Sequence, residues 1–470
     1  EAVAQGTIQA GRMPVVFGGR YGLGSKEFNA GMARAVIDNL TSAKPKNHFT
    51  IGIIEDVTHS SLEWDDHFDA EPEGVHRALF YGLGADGTVG ANKNSIKIIG
   101  KATDYYAQGY FVYDSRKSGT MTTSHLRFSP HPIRSVYLID QAEFVACHAF
   151  SFLERFDILS HLRPGGTFLL NSPYPADEVW DQIPYEVQKT LIDKKARFFV
   201  IDAYSLAKSL GLGGRINIIM QMAFFTISGV LPQEQALKMI EMAVEDTYGT
   251  KGKEVVEMNI RSAQQAADRI QEVPIAARPT SKIRMRPAVP EGSPEFVARV
   301  TAEMIAGRGD RLPVSLLPAD GTYPTGTTRY EKRNIALEIP VWEPEACIQC
   351  NQCSFACPHA AIRAKICEAR VADGNAPTTC RSMDAKGREF AGMKYTLQVA
   401  PEDCTGCGAC VAGDSLDLKC RLSHGAPYAL STFTRNALNS GVCALGSITT
   451  GVIMLMRFRS VLPASSAIPR

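Results

Sequence analysis

The sequence predicts an α/β protein in which a parallel-sheet α/β domain is followed by a linker and a small α+β domain. Three observations predict this. From residue 13 to about 270, short apolar runs alternate with amphipathic stretches, as in βαβ units. From Val273 to Phe296 this periodicity gives way to a proline-rich segment that is typical of an extended, semi-rigid linker. Beyond residue 341, most of the cysteines gather in two runs.

Length, charge and cysteine content indicate how many domains the protein has, whether it binds nucleic acid and in which compartment it works. A chain of 470 residues is too long for one core, so we expect two to three domains. Its 50 basic and 49 acidic residues nearly cancel, and no basic stripe appears, so we expect no nucleic-acid partner. With 12 cysteines, of which most form metal-ligand patterns, the chain fits a reducing compartment: the cytoplasm, with a reducing organelle not excluded.

The first domain is predicted from its apolar runs. Several are continuous, as required of strands that are covered on both faces. One helix is expected to begin near Pro232 and to end at Gly249, with a core-facing apolar stripe. The predicted strands are 14–17, 49–54, 135–139, 167–170 and 198–201.

A glycine-rich turn follows the apolar run 78–81. Residues 82–87 fit the pattern G-x-G-x-x-G and precede Lys93. A strand, a glycine turn and a helix can present backbone N–H groups to a phosphate, and Lys93 would add positive charge. The same glycines would also suit a turn where two backbone segments pack closely. The sequence leaves both explanations open.

Two further residues follow predicted strands. Thr58 comes shortly after strand 49–54, and Asn171 comes directly after strand 167–170. Ligands of open α/β sheets bind at the carboxyl ends of strands, so both residues are candidates for ligand binding. Turn formation or helix capping is the alternative for each. No pair of residues suggests a general acid and base, so we predict no catalytic residue.

The cysteine runs have the spacing of iron–sulfur ligands. A C-x2-C-x2-C run suits one cubane, and a further cysteine before proline ligates the other cubane. Cys357, which precedes Pro358, would therefore join the second run. A zinc ribbon is the alternative, but three cysteines in one such run crowd a tetrahedral zinc. The first run is Cys347, Cys350, Cys353 and Cys357, and the second is Cys404, Cys407 and Cys410.

The second run lacks its fourth cysteine, since Asp414 stands at the expected position. The first cluster would then have three cysteines, with Asp414 as an oxygen ligand, Cys420 folded back as the fourth ligand, or no fourth ligand and three irons. These alternatives stay open.

Taken together, these residues resemble a known family. The runs 18–26, 47–53, 84–93 and 211–217, together with Arg329 to Asn334 and the cysteine runs, are similar to the pyruvate:ferredoxin (flavodoxin) oxidoreductase family. The likeness covers about residues 11 to 412 in one order. It implies that this is a partial chain of such an enzyme.

The resemblance also implies a division of the chain. It implies the end of a preceding α/β domain, a central gamma-type α/β domain, a linker with a short EKR-type connecting segment, and a ferredoxin-like domain with two 4Fe-4S clusters. An unrecognised tail follows, in which segment 436–456 is uncharged but too rich in glycine, serine and threonine for an expected membrane span. The ranges are 1–45, 46–275, 276–340, 341–425 and 426–470.

The resemblance implies a function as well. The complete enzyme would decarboxylate pyruvate on thiamine diphosphate, form acetyl-CoA, and pass electrons through iron–sulfur clusters to a ferredoxin or flavodoxin. We expect Lys93, Thr58 and Asn171 to contact coenzyme A. The remaining domains and a homodimer would complete the enzyme, and this part is expected to be inactive by itself. The alternative is a stand-alone ferredoxin-like electron carrier fused to a non-catalytic binding module.

Overall fold

A computed structural model describes residues 15–22, 27–84, 86–113, 120–336, 339–370, 380–412 and 423–424. The chain forms two compact units, Glu1–Ile335 and Ala336–Arg470. Asp414 and the predicted tail 426–470 lie outside the described residues. Over the described ranges, no helix combines the length and the apolar character needed to cross a bilayer.

The first unit is built on a seven-stranded mixed sheet with the strand order β4-β5-β3-β6-β7-β8-β9. The adjacent strands β3, β6, β7 and β8 are parallel to one another, whereas β5, β4 and β9 pair antiparallel at the two sides. Two short strands, β1 and β2, form a separate parallel pair. The strands are β1 (Gly19–Arg20), β2 (Phe49–Thr50), β3 (His76–Leu83), β4 (Tyr106–Val112), β5 (Met121–Ser129), β6 (Ala142–Cys147), β7 (Leu162–Asn171), β8 (Arg197–Ile201) and β9 (Gln271–Glu272).

Helices cover both faces of this sheet. Successive strand residues point to opposite sides, so each strand contributes apolar side chains to both faces. On β3, Phe80 contributes to one apolar core and Leu79 to the other. The first core is closed by α2, α5, α6, α7 and α8, and the second by α3 and α4. The helices are α1 (Ala30–Thr41), α2 (Thr88–Ala102), α3 (Val179–Gln182), α4 (Tyr185–Asp193), α5 (Ala203–Ser209), α6 (Asn217–Ser228), α7 (Gln233–Tyr248), α8 (Lys253–Ala266) and α9 (Ala302–Ile305).

Helix α6 is the central helix of the first core. Its residues 218–225 are all buried. The Phe224 ring lies 5.1 Å from the rings of both Phe80 and Phe144, in edge-to-face contacts. Such aromatic contacts favour a well-packed core.

The structure confirms part of the predicted secondary structure. Segments 167–170 and 198–201 lie within β7 and β8, and the predicted helix is α7. The strand predicted over 49–54 is wrong beyond Thr50, and segment 135–139 forms no strand although Ile139 is buried. The N–H group of Ile139 donates to Nδ1 of His125 instead of joining a ladder.

The remaining differences concern the sheet. Residues 15–17 of the strand predicted over 14–17 are irregular. Strands β4, β5 and β6 were not predicted. In β5 the reason is visible, since polar residues such as Thr122 and Ser124 are buried there and hide the apolar pattern.

The segment predicted as a linker has no helix or strand at its prolines, and it is hydrogen-bonded to α4 of the first unit. The Gln188 side chain on α4 accepts hydrogen bonds from the N–H groups of Thr280 and Ser281, at 2.8 and 2.9 Å. The N–H group of Tyr185 donates to the carbonyl of Ile283 at 2.9 Å. A short π-helical turn, Val297–Thr301, then leads into α9.

The second unit is a small α+β domain, as predicted. Its three-stranded antiparallel sheet has the order β11-β13-β12 and packs on a core of Trp342, Ile362, Tyr395 and Leu397. Strands β10 and β14 form a second antiparallel pair. The elements are β10 (Pro340–Val341), α10 (Gln352–Ala356), β11 (Ile362–Glu368), β12 (Met383–Asp384), β13 (Met393–Val399), α11 (Ala409–Ala412) and β14 (Ser423–His424).

A buried ion pair ties the segment before β3 to the sheet. The guanidinium of Arg127 on β5 lies 2.8 Å from the carboxylate of Glu71, and their side chains are only 2% and 5% exposed. The hydroxyl of Ser135 donates to the same carboxylate at 2.7 Å, and the Gln108 side chain accepts from Arg127 at 3.0 Å. These bonds compensate part of the loss of water around both charges, while Nη2 of Arg127 is buried without a hydrogen-bond partner among the described residues.

We expect Glu71→Ala to lower the free energy of unfolding by about 3 kcal/mol, because it leaves the buried Arg127 charge without its carboxylate. Urea denaturation of the purified chain measures this. The control is Glu272→Ala, which removes an exposed ion pair with Arg197 and is expected to cost at most about 1 kcal/mol. Equal losses in the two variants would contradict this account.

Candidate functional site

The two cysteine runs form turns that we name the first cysteine loop (347–353) and the second cysteine loop (404–410). In each, the last cysteine lies in a short helix, α10 in the first and α11 in the second. The residues between them, 359–403, include β11, β12 and β13, and we name them the strand insertion.

The two loops have the same backbone conformation at equivalent positions. Gln349 and Gly406 are each the third residue of their loop, and both have a positive φ, 61° and 70°. Asn351 and Gly408 are each the fifth residue, with φ of 61° and 72°. Glycine adopts this left-handed conformation readily, whereas glutamine rarely does. The two loops therefore share left-handed backbone at the same two positions.

Each loop also directs a backbone N–H group at its first sulfur. The N–H of Gln349 donates to Cys347 Sγ at 3.4 Å, and the N–H of Gly406 donates to Cys404 Sγ at 3.4 Å. Hydrogen bonds to cysteine sulfur are among the interactions that set the reduction potential of iron–sulfur clusters. The donors are therefore in place where such a cluster requires them.

Cys357 lies beside the second loop. Cys357, Cys404, Cys407 and Cys410 line one cavity. Burial raises the pKa of the Cys404 and Cys410 thiols, and the neighbouring sulfurs, including that of Cys357, raise it further. The N–H of Ala361 donates to Cys357 Sγ at 3.3 Å. Four cysteines around one cavity are the type of donor set that a cubane takes.

The cysteines of the first loop border the small core. Cys347 and Cys353 pack against the cluster that contains Trp342. Asp414, the predicted oxygen ligand, lies outside the described residues, as does Cys420. Among the residues that the structure describes, no group of three His, Cys, Asp or Glu side chains converges on a single point suited to one metal ion.

The glycine-rich turn joins β3 to α2, which is the predicted strand–turn–helix context. The Asp86 carboxylate accepts hydrogen bonds from the N–H groups of Leu83 at 2.8 Å and Thr88 at 2.7 Å. A Cβ atom on Gly82 would lie 2.4 Å from Oγ1 of Thr88, and Gly87 has φ of 91°. Close packing and turn geometry therefore explain both glycines, and an internal carboxylate occupies two of the donors that a phosphate would use.

The structure places Lys93, Thr58 and Asn171 in different settings, and no described hydrogen bond joins any two of them. Lys93 is exposed on α2, with Nζ 5.2 Å from the centre of the Phe111 ring. The hydroxyl and the N–H of Thr58 both donate to Glu55. Of the hydrogen bonds that lower the pKa of Glu55 to about 2, the one from the Thr58 hydroxyl contributes most.

Asn171 is buried at the end of β7, and both polar atoms of its side-chain amide are hydrogen-bonded. Its Nδ2 donates to the carbonyl of His148 at 2.9 Å, and its Oδ1 accepts from the N–H of Ala203 at 3.0 Å. The side chain thus joins the ends of β6 and β7 to the start of α5. This is a structural role of the kind that the sequence left open.

His148 is a buried residue at this edge that the sequence analysis missed. It directly follows β6, and its Nδ1 lies 2.7 Å from Oγ1 of Thr88. Burial lowers its pKa to about 4, and the nearby Asp86 charge offsets this only in part. Because β6 was not predicted as a strand, the sequence analysis did not place a residue at its carboxyl end.

Three family models match the chain in succession. The family described as pyruvate ferredoxin/flavodoxin oxidoreductase matches residues 77–269. A domain of unknown function matches residues 282–336, and a 4Fe-4S dicluster domain matches residues 339–413. At the level of the domain family, the last match confirms the iron–sulfur interpretation of the cysteine runs.

Curated relatives match over most of the chain. It is 55% identical over 406 residues to the pyruvate-flavodoxin oxidoreductase of Nostoc sp.. The matched region covers 85% of this chain and 34% of the relative. It is 54% identical to the protein of the same name from Trichormus variabilis, over 85% of this chain and 34% of the relative. It is 52% identical to the pyruvate:ferredoxin oxidoreductase of Moorella thermoacetica, again over 85% and 34%. The chain thus spans about a third of the length of these relatives.

We expect the buried His148 to make folding sensitive to pH. Between pH 6.5 and 4, His148 binds a proton in the unfolded chain but not in the folded chain. The free energy of unfolding should therefore fall as the pH drops through this window, by at most about 1.4 kcal/mol per pH unit from this residue, while His148 adds no pH dependence above it.

Urea denaturation across this pH range measures the effect. His148→Gln, whose amide can still bond Thr88, should show a shallower fall than the unchanged chain. His67→Gln, at an exposed position, should leave the slope unchanged. If His148→Gln and the unchanged chain have the same slope, the buried histidine is not the cause.

Proposed function

We propose that the chain is part of an enzyme of the pyruvate:ferredoxin (flavodoxin) oxidoreductase family, and that its second unit carries electrons released when pyruvate is oxidatively decarboxylated to acetyl-CoA. The main support is the pair of cysteine loops, which share one backbone conformation and one N–H to sulfur hydrogen bond. Iron–sulfur clusters supply one-electron redox chemistry at such sites.

In this proposal each cluster has a defined set of ligands. Cys357, Cys404, Cys407 and Cys410 hold one 4Fe-4S cluster, supported by the cavity that they line. Cys347, Cys350 and Cys353 hold the other. Its fourth ligand is Asp414 or Cys420, or it has none and binds three irons. The apolar residues around the first loop, such as Trp342, limit water near the sulfurs.

We propose that the first unit contributes to binding coenzyme A through Lys93, Thr58 and Asn171. Lys93 is the strongest of the three, because it is an exposed cation and a phosphate can displace its contact with Phe111. Thr58 and Asn171 already bond within the protein, so they would act by supporting the surface. In this proposal thiamine diphosphate is held by the remaining domains of the enzyme.

The partners follow from the same family. We propose that a ferredoxin or flavodoxin accepts the electrons, that the remaining domains and a homodimer complete the enzyme, and that the protein works in the cytoplasm. On this view the present chain is inactive by itself. Pyruvate-dependent reduction of a dye, with thiamine diphosphate and coenzyme A, should appear only when the missing domains are supplied.

A second candidate is a stand-alone electron carrier fused to a binding module. It is favoured by the compactness of the second unit, which has its own core and sheet. Under this candidate, the missing domains would restore no pyruvate-dependent reduction, while the clusters would still accept and donate electrons.

Loss of one ligand should remove one cluster. We expect the anaerobically reconstituted chain to bind about eight irons, or about seven if the first site holds three. Cys357→Ala should lose about four, because that residue completes the second site. Iron and acid-labile sulfide assays measure this.

The control is Cys367→Ala, on β11 outside both cysteine loops, which should keep its iron. Zinc in place of iron, with no visible absorbance and no paramagnetic signal after reduction, would contradict the redox proposal.

The coenzyme A proposal is tested by calorimetry on this chain. We expect Lys93→Gln to weaken coenzyme A binding roughly fivefold, because an exposed charge contributes modestly to affinity. The effect of the substitution should be smaller at high salt, because salt screens the charge. Lys97→Gln, an exposed lysine one turn further along α2, is the control and should bind normally. Equal weakening in both variants would point to general surface charge.

A further inference from the structure

Two residues of the first cysteine loop have the left-handed backbone conformation that glycines adopt at the same positions of the second loop. Gln349 and Asn351 have φ of 61°, where a side chain carries a cost that is larger for glutamine than for asparagine. Gly406 and Gly408 show that the same turn forms without side chains. The two side chains of the first loop therefore serve something other than the turn itself.

The side chain of Gln349 binds the strand insertion. Its Nε2 donates to the carbonyl of Asp384 at 2.7 Å, and its Oε1 accepts from the N–H of Lys386 at 2.8 Å. Asp384 is the last residue of β12, which pairs with β13. Both ends of the amide are thus held by backbone groups of a hydrogen-bonded hairpin.

The side chain of Asn351 binds the same insertion from β13. Its Oδ1 accepts a hydrogen bond from the hydroxyl of Tyr395 at 2.7 Å. Asparagine in front of a helix usually caps the first N–H groups, but Asn351 makes no such bond to α10. Tyr395 is itself fixed, since it is buried and its ring meets Trp342 edge to face at 5.9 Å.

These three hydrogen bonds fix the backbone on both sides of Cys350. The peptide N–H that donates to Cys347 Sγ belongs to Gln349, so the residue that carries the donor is the one held by the insertion. In the second loop the equivalent donor belongs to Gly406, which has no side chain to hold. The two sites thus share a hydrogen bond to sulfur but differ in how firmly it is held.

We propose that Gln349 and Asn351 are positioning residues, which anchor the first cysteine loop to the strand insertion and so set the reduction potential of the cluster bound there apart from that of the second. This rests on the proposed iron–sulfur function. A hydrogen bond to sulfur stabilises the more negative, reduced cluster. Releasing the loop weakens that bond, makes reduction harder, and shifts the first potential to a more negative value.

The test is a redox titration of the anaerobically reconstituted chain, followed by paramagnetic resonance. Gln349→Gly removes both amide bonds while keeping a residue that accepts the left-handed backbone. Tyr395→Phe removes only the hydroxyl bonded to Asn351 and keeps the ring on Trp342. In the Cys357→Ala background, where the second site lacks a ligand, the first couple is titrated by itself.

In the chain that keeps Cys357, we expect both variants to retain their iron and to show a more negative potential for the first cluster, with the second unchanged; the Cys357→Ala background serves only to assign the first couple. Gln352→Ala is the matched control, because it removes an exposed amide side chain from α10 next to the loop and should shift neither potential. If Gln349→Gly fails to fold, Tyr395→Phe decides the question.

Unchanged potentials at full iron content, a shift to more positive values, or an equal shift of both clusters would overturn the positioning role. Absence of iron from the unchanged chain would instead overturn the proposed function. The two failures are therefore distinguishable.

Discussion

The second unit depends on one constraint: each short cysteine loop needs left-handed backbone at its third and fifth positions. The second loop meets the requirement with Gly406 and Gly408. The first loop meets it with Gln349 and Asn351, whose side chains are bonded to the strand insertion. The insertion is thus part of the first site, and the helices α10 and α11 start from the same geometry in both loops.

A different constraint shapes the carboxyl edge of the sheet in the first unit. Most polar groups buried there have partners inside the protein, since water does not reach them, although Nε2 of His148 has none in the described part of the chain. Asp86 accepts from the glycine-rich turn, Thr88 bonds His148, and Asn171 joins the ends of two strands to α5. The motif that resembles a phosphate loop is therefore largely satisfied internally, and the coenzyme A proposal depends mainly on the exposed Lys93.

Helices and strands were predictable where the local pattern of apolar residues determines them. They were less predictable where burial of polar residues determines the structure. Helix α7 and strands β7 and β8 were predicted from apolar periodicity. Strand β5 was missed because its buried positions include Thr122 and Ser124, polar residues that hide the apolar pattern. Segment 135–139 was predicted as a strand because it is apolar, yet its Ile139 bonds a histidine side chain.

The sequence by itself determined the cysteine spacing, the missing fourth cysteine of the second run and the family resemblance, because ligand spacing and turn glycines act over a few neighbouring residues. Only the tertiary structure bonded Gln349 to the strand insertion and buried His148 beside Thr88. These contacts join residues far apart in the chain. Burial and hydrogen-bond satisfaction decide them, and neither can be read from local spacing.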